Sequence, residues 1–196
     1  MKILQLCKKF PFPLKDGESI AVTSLGRSMN DLGCEITLLA MNTKKHYFDT
    51  RHLPPGFDHY TNIYTVPIDN RIKPMDAFLN LFSEDSYHIA RFISGRFEEK
   101  LIQLLKTNVF DIIQLETLYL APYIPVIRQY SNARIAMRAH NVEHEIWQRM
   151  TENAAFWPKK WYLHHLTDKL KHYEKKQLLQ YDILVPITNR NLKKFR

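Results

Sequence analysis

The chain has 196 residues, 45% of them hydrophobic and 24% charged, a composition that excludes disorder and allows one ordinary domain with a substantial core. The formal net charge of +8 favours an anionic partner (nucleic acid, anionic lipid or a phosphorylated substrate), although a solvated basic surface accounts for it as well. Two cysteines, Cys7 and Cys34, are too few for a disulfide framework, no run of about 18 apolar residues could span a membrane, and Ile3 to Cys7 is too short for a signal peptide, so a cytoplasmic protein, or one lying on a membrane surface, is expected.

Lys2 to Cys7 reads as a first strand. The loop from Phe10 to Ser19 follows, with two prolines and a glycine that forbid regular structure. Ser19 reads as a helix N-cap, and Ile20, Leu25, Met29 and Leu32 share one face of the helix that it starts. Gly33 stops that helix. Glu35 to Met41 is a buried second strand, and residues 42–62 form a long loop. Ile63 to Ile68 is a third strand, near an edge because Pro67 cannot donate to a ladder. A helix is expected over 86–106, with Ile89, Phe92, Ile93, Phe97 and Leu101 on its apolar stripe.

Phe110 to Glu116 reads as a fourth strand, and a helix interrupted by Pro122 and Pro125 covers 119–130. Ala133 to Arg138 is a fifth strand, and a basic, aromatic-rich helical stretch runs from Glu143 to Gln180. Ile183 to Thr188 is a sixth strand, with Thr188 or Asn189 capping a helix that ends uncapped, so the chain reads as truncated. Alternating strands and helices predict an α/β fold: a Rossmann-like, three-layer αβα domain with a mainly parallel sheet. Ligands bind such sheets at the carboxyl ends of the strands.

Three constellations could carry chemistry. Asp16-Gly17-Glu18-Ser19 opens the first helix, where free backbone N–H groups and the dipole can hold a phosphate. With one glycine and no P-loop lysine, an ordinary capped helix fits the segment too. His140-Asn141-Val142-Glu143-His144 matches the H-x-x-E-H zinc-protease pattern, which would make His140 and His144 ligands and Glu143 a base. That pattern belongs inside a helix, however, whereas His140 stands at a strand exit. Without metal, His140 can hydrogen-bond a sugar hydroxyl or move a proton, with Asn141 beside it as a cap. Phe156 to His165 interleaves aromatics with lysines, which suits a membrane interface or a helix that buries its rings. Nucleic acid is disfavoured because no recognised motif accompanies the charge.

Together these segments resemble glycosyltransferase family 4, the retaining family with the GT-B fold. The resemblance rests on Pro11 to Ser19, Leu32 to Leu39, Arg138 to Glu143 and Pro186 to Thr188, in order between the strands. It implies that 1–196 is the N-terminal, acceptor-side half of an enzyme whose C-terminal, donor-binding half is absent. It also implies transfer of a sugar from a nucleoside diphosphate sugar, as co-substrate, to a glycan or lipid-linked acceptor, with no metal or other cofactor. Asp16, Gly17 and Glu18 would lie near the donor diphosphate and acceptor, although the family usually has a second glycine where this chain has Glu18. His140 would reach the donor sugar as the catalytic residue. Glu116, by its place at a strand's carboxyl end, could orient the acceptor or could be a buried structural carboxylate. Polysaccharide biosynthesis is the implied setting, with possible peripheral contact with an anionic membrane. A zinc metallohydrolase using His140, Glu143 and His144 and a non-catalytic membrane-binding module are the alternatives.

Overall fold

The computed structural model describes residues 1–83, 86–188 and 194. Six strands form one parallel sheet: β1 (Lys2–Cys7), β2 (Glu35–Thr43), β3 (Asn62–Ile68), β4 (Ile112–Leu115), β5 (Arg134–Ala139) and β6 (Ile183–Pro186). Their order is β3-β2-β1-β4-β5-β6, and β3 is at an edge, as Pro67 requires. The chain builds outward from β1 to β3, then crosses back to lay β4 against the other side of β1. The strand order therefore reverses between β1 and β4, the position where a crevice opens at the carboxyl ends of an open α/β sheet.

Seven helices connect the strands among the described residues: α1 (Gly17–Asp31), α2 (Pro74–Leu79), α3 (Tyr87–Ala90), α4 (Gly95–Thr107), α5 (Ile124–Tyr130), α6 (Glu143–Glu152) and α7 (Trp157–Gln177). Strand alternation sends Leu4, Leu6, Leu39, Met41, Ile113, Leu115, Ile135 and Met137 to one face, where Phe97, Leu101, Ile127 and Leu170 from α4, α5 and α7 pack on them. Cys7, Ile36, Leu38 and Ala40 point to the other face, against Val22 of α1 and Phe10, Phe57 and Tyr60. Both faces are thus covered, and the Rossmann-like α/β class read from the sequence is the observed one.

Several element details differ from the sequence reading. Helix α1 begins at Gly17, and its cap is Asp16, whose carboxylate accepts from the Ser19 N–H at 2.9 Å; Ser19 itself is buried inside the first turn. The helix buries Ser19, Val22, Thr23 and Gly26, leaving Ile20 and Leu32 exposed. Small residues win this face because the helix lies close on His59 and Tyr60: a Cβ at Gly26 would sit 3.1 Å from both side chains. Gly33 closes the helix at φ 81°, with the Gly33 and Cys34 N–H groups donating to Asn30 and Met29 carbonyls.

The single helix expected over 86–106 is split into α3 and α4. The Tyr123 hydroxyl sits in the break, donating to the Phe92 carbonyl and accepting from the Ser94 N–H, which satisfies the groups that the helix abandons. The stretch 143–180 likewise forms two helices, α6 and α7, joined by 153–156. The helix expected after β6 lies outside the described residues, apart from 194.

Candidate functional site

Strand alternation builds the centre of the site. Gln5 on β1 lies beside Gln114 on β4, and both point to the α1 face. Two residues further along each strand line, Glu116 follows Gln114 and His140 follows Arg138 on that same face. All four surround the Glu116 carboxylate, which is only 1% exposed. Gln5 Nε2 donates to Glu116 Oε1 at 2.5 Å, and Gln114 Nε2 donates to the same oxygen. Arg138 Nη1 donates to Oε2 at 3.1 Å, and His140 Nε2 lies 2.9 Å from it.

Burial pushes the Glu116 carboxyl up, but the His140 hydrogen bond, the Arg138 charge and the Gln5 hydrogen bond outweigh it and hold the group below its ordinary range. Glu116 is therefore an anion with both oxygens occupied. An ionised carboxylate only accepts, so the His140 proton on this side sits on Nε2. Its four protein partners take up the acceptor sites of the carboxylate, so that Glu116 fixes His140 and Arg138.

Asp16, Gly17 and Glu18 form a second group at the start of α1. Lys9 Nζ lies 2.6 Å from Asp16 and 3.9 Å from Glu18, and Lys8 Nζ lies 3.4 Å from Glu18. Partial burial would raise Asp16, but hydrogen bonds from Lys9 and Ser19 bring it down to about 2. A Cβ on Gly17 would meet no protein atom within 4 Å, so the turn is open there. Glu18 is committed to lysines and presents no bare backbone as a glycine would. Arg138 ties this group to the first by donating to the Ala21 carbonyl of α1 at 3.1 Å, and Lys8 stands 4.6 Å over the ring of Tyr119, just past β4.

The third part is the helix after β5. Asn141 is exposed, and Val142 takes the N-cap position without a side-chain bond, so Asn141 is not the cap. Glu174 of α7 caps α6 from outside: its carboxylate accepts from the N–H of Glu143 at 3.0 Å and of His144 at 3.3 Å, and meets His144 Nδ1 at 2.5 Å. Glu143 accepts from the Tyr119 hydroxyl at 2.9 Å, and burial raises its carboxyl above the usual range. His140, Glu143 and His144 thus face three different partners. Since α6 starts at Glu143, His140 is outside the helix and the two histidines do not stand one turn apart on it. The H-x-x-E-H arrangement is not formed, and among the described residues no three of His, Cys, Asp or Glu group as metal ligands do.

Sequence reading missed Lys8, Arg138, Gln5 and Gln114. The glutamines carried a signal, being polar residues inside the apolar strands Lys2–Cys7 and Ile112–Leu115, where an unpartnered amide would be costly. Arg138 carried another by sharing a face with His140. Cavity size does not mark the site. A hollow of about 760 Å³ lies at the amino ends of the strands, around Met1, Asp111 and Arg134. At the carboxyl edge a hollow of about 190 Å³ lies against Lys9, Phe12, Lys15, Asp16, Lys45 and Tyr47. The chemistry of open α/β sheets favours the carboxyl edge.

No protein-family model matches the sequence, and no curated protein matches it. Among solved structures, sucrose-phosphate synthase from Thermosynechococcus elongatus superposes with a TM-score of 0.54 at 15% identity, over 100% of this chain and 44% of that one. UGT2 of Phytolacca americana, in its apo form, superposes at 0.49 with 9% identity, over 99% of this chain and 48% of that one. In complex with UDP-2fluoro-glucose and pterostilbene, UGT2 superposes at 0.47 with 9% identity, over 99% and 49%. The chain spans less than half the length of each of these three structures. At these identities the first likeness establishes the fold, a Rossmann-like α/β domain of the kind found in that synthase.

Proposed function

We propose that this chain is the N-terminal, acceptor-side half of a retaining GT-B glycosyltransferase, of the family 4 type, which moves a sugar from a nucleoside diphosphate sugar to a glycan or lipid-linked acceptor. The observation that carries the reading is the Glu116–His140–Arg138 cluster at the carboxyl edge, beside the strand-order reversal, in a domain with the fold of part of sucrose-phosphate synthase.

In this reading each site residue has a role that the geometry supports. His140 is the catalytic residue, held by Glu116 so that its ring keeps one tautomer and one orientation toward the donor sugar. Its contribution is a fixed hydrogen bond where charge develops as the glycosidic bond to the diphosphate loosens. Gly17, at the open turn of α1, offers its surroundings to the diphosphate–acceptor junction, with the helix dipole favouring an anion. Asp16 shapes that turn by capping it. Asn141, exposed beside His140, offers its amide to a sugar hydroxyl. No metal or organic cofactor is part of the scheme.

The test uses the protein in which this chain is joined to its donor-binding half, with a panel of UDP- and GDP-sugars and released nucleotide as the readout. Wild type is expected to turn over at least one donor, and His140→Ala to lower kcat by about a hundredfold or more. Absence of turnover with every donor, with and without glycan acceptors, would overturn the reading.

A further inference from the structure

The tip of the α6–α7 hairpin is apolar, aromatic and open to solvent. Phe156 is 68% exposed, Trp157 74%, Trp161 59% and Met150, on the neighbouring helix, 51%. Large rings so exposed in one cluster call for an explanation, since isolated exposed apolar residues are ordinary but patches of them mark contact surfaces.

These rings are not misplaced core. The buried side of α7 is set by Leu166, Thr167, Leu170 and Glu174. Trp161 lies nine residues from Leu170, about two and a half helical turns, and so on the opposite side; Trp157 is one turn before it. Trp161 stacks on His165, one turn along its own helix. The short link 153–156 then brings Phe156 and Met150 to the same end.

The charge around the tip identifies the partner. Lys159 and Lys160 sit between the two tryptophans and are exposed, as is Arg149 on α6. The acids near them are Glu152, which accepts from Gln148 at 3.1 Å, Glu145, one turn before Arg149 on α6 and 2.8 Å from Lys194, and Asp168, about two turns beyond Lys160 and hydrogen-bonded to His164 at 2.9 Å. At the tip itself Lys159, Lys160 and Arg149 outnumber Glu152, and on a chain of net charge +8 this opposes a basic or neutral partner. Trp and Phe beside Lys and Arg match a bilayer interface, with rings at headgroup depth and cations against lipid phosphates. No described helix is long and apolar enough to cross a membrane.

We infer that the α6–α7 tip is a docking surface for anionic membrane, with Phe156, Trp157 and Trp161 inserting at headgroup level and Lys159 and Lys160 engaging lipid phosphates. The site and this surface share α6, a helix of ten residues or about 15 Å, so a docked domain keeps His140 about that far along the helix from the lipid. The inference is independent of glycosyl transfer, because it is read from binding alone.

Vesicle flotation tests it, with phosphatidylcholine vesicles made with and without phosphatidylglycerol. The protein is expected to float with the anionic vesicles and far less with neutral ones, more weakly as salt rises. Trp157→Ala/Trp161→Ala should reduce partitioning at least tenfold, about the effect of losing two buried rings. Lys159→Gln/Lys160→Gln should reduce it about fivefold per lysine and flatten the salt dependence. All four positions are exposed, so unchanged thermal melting verifies the fold of each variant. Sedimentation of the protein alone at low salt, flotation unaffected by the tryptophan pair, or a stable dimer that the tryptophan pair dissolves would each overturn the inference, the last by assigning the patch to a second copy of the chain.

Discussion

Glu116 is the residue whose loss should be felt most. Removing its charge leaves Arg138, 11% exposed, without the carboxylate that it pairs with. Glu116→Gln is expected to cost about 3–5 kcal/mol, the range for breaking one side of a buried ion pair, and urea unfolding at pH 7 would measure it. Because its carboxyl is held below the usual range in the folded state, its stabilising effect is complete above the unfolded value and is lost as pH falls through the folded one. His88 acts at milder acidity. It is buried against Trp147, ring centroids 3.7 Å apart, and burial, assisted by the Arg91 charge, brings it down to about 3. Its folded value is depressed, so the neutral ring stabilises the fold above the unfolded histidine value and that contribution falls away below it. From pH 7 to pH 5 the loss should be about 2 kcal/mol, and His88→Phe should flatten the urea midpoint over that interval; an unchanged slope would show that His88 does not carry it.

At the scale of elements, two helices depend on groups outside themselves. Glu174 satisfies two N–H groups at the start of α6 across a sequence gap of thirty-one residues to Glu143. Glu174→Ala should leave those buried donors unmet and cost about 1–3 kcal/mol, with the exchange of the Glu143 and His144 amides rising in step. Helix α1 depends on lacking a side chain at Gly26. Alanine there would gain helix propensity but press on His59 and Tyr60, so valine is the sharper probe. Gly26→Val should destabilise by about 1–3 kcal/mol in chemical unfolding, through overpacking. The same close approach explains why the apolar positions Ile20 and Leu32 lost the buried face of α1 to Ser19, Val22 and Thr23. Periodicity ranks side chains by hydrophobicity, whereas a tight helix–sheet contact selects them by size.

For the molecule as a whole, the reversal of strand order between β1 and β4 gathers the ends of β1, β4 and β5 at one edge. On the proposed function this edge is the acceptor side of a cleft whose donor side another domain supplies. The 196-residue chain alone is therefore expected to fold cooperatively yet to release no measurable nucleotide from any UDP- or GDP-sugar, and turnover by the isolated chain would contradict the half-enzyme reading. The α6–α7 tip adds a second face to the same molecule, oriented by the helix that begins beside His140.

Much of this was legible in the residues. Apolar strands alternating with helical segments determined a parallel α/β sheet, Pro67 put β3 at an edge, and Gly33 ended α1. The placing of Glu116 and His140 after strands pointed to one ligand edge. The sheet alone decided that these two residues touch. Their hydrogen bond spans β4 and β5, and it requires the β1–β4–β5 register that brings Gln5, Gln114 and Arg138 to the same carboxylate. The cap on α6, the break between α3 and α4, and the exposure of Trp157 and Trp161 were likewise decided in three dimensions. Each depends on a group distant in sequence: Glu174 for the cap, Tyr123 for the break, and for the tryptophans the sheet, which claims the opposite side of α7. Local sequence sets which conformations a segment can adopt; which buried polar groups find partners, and which rings remain in solvent, is set only when the distant elements close on one another.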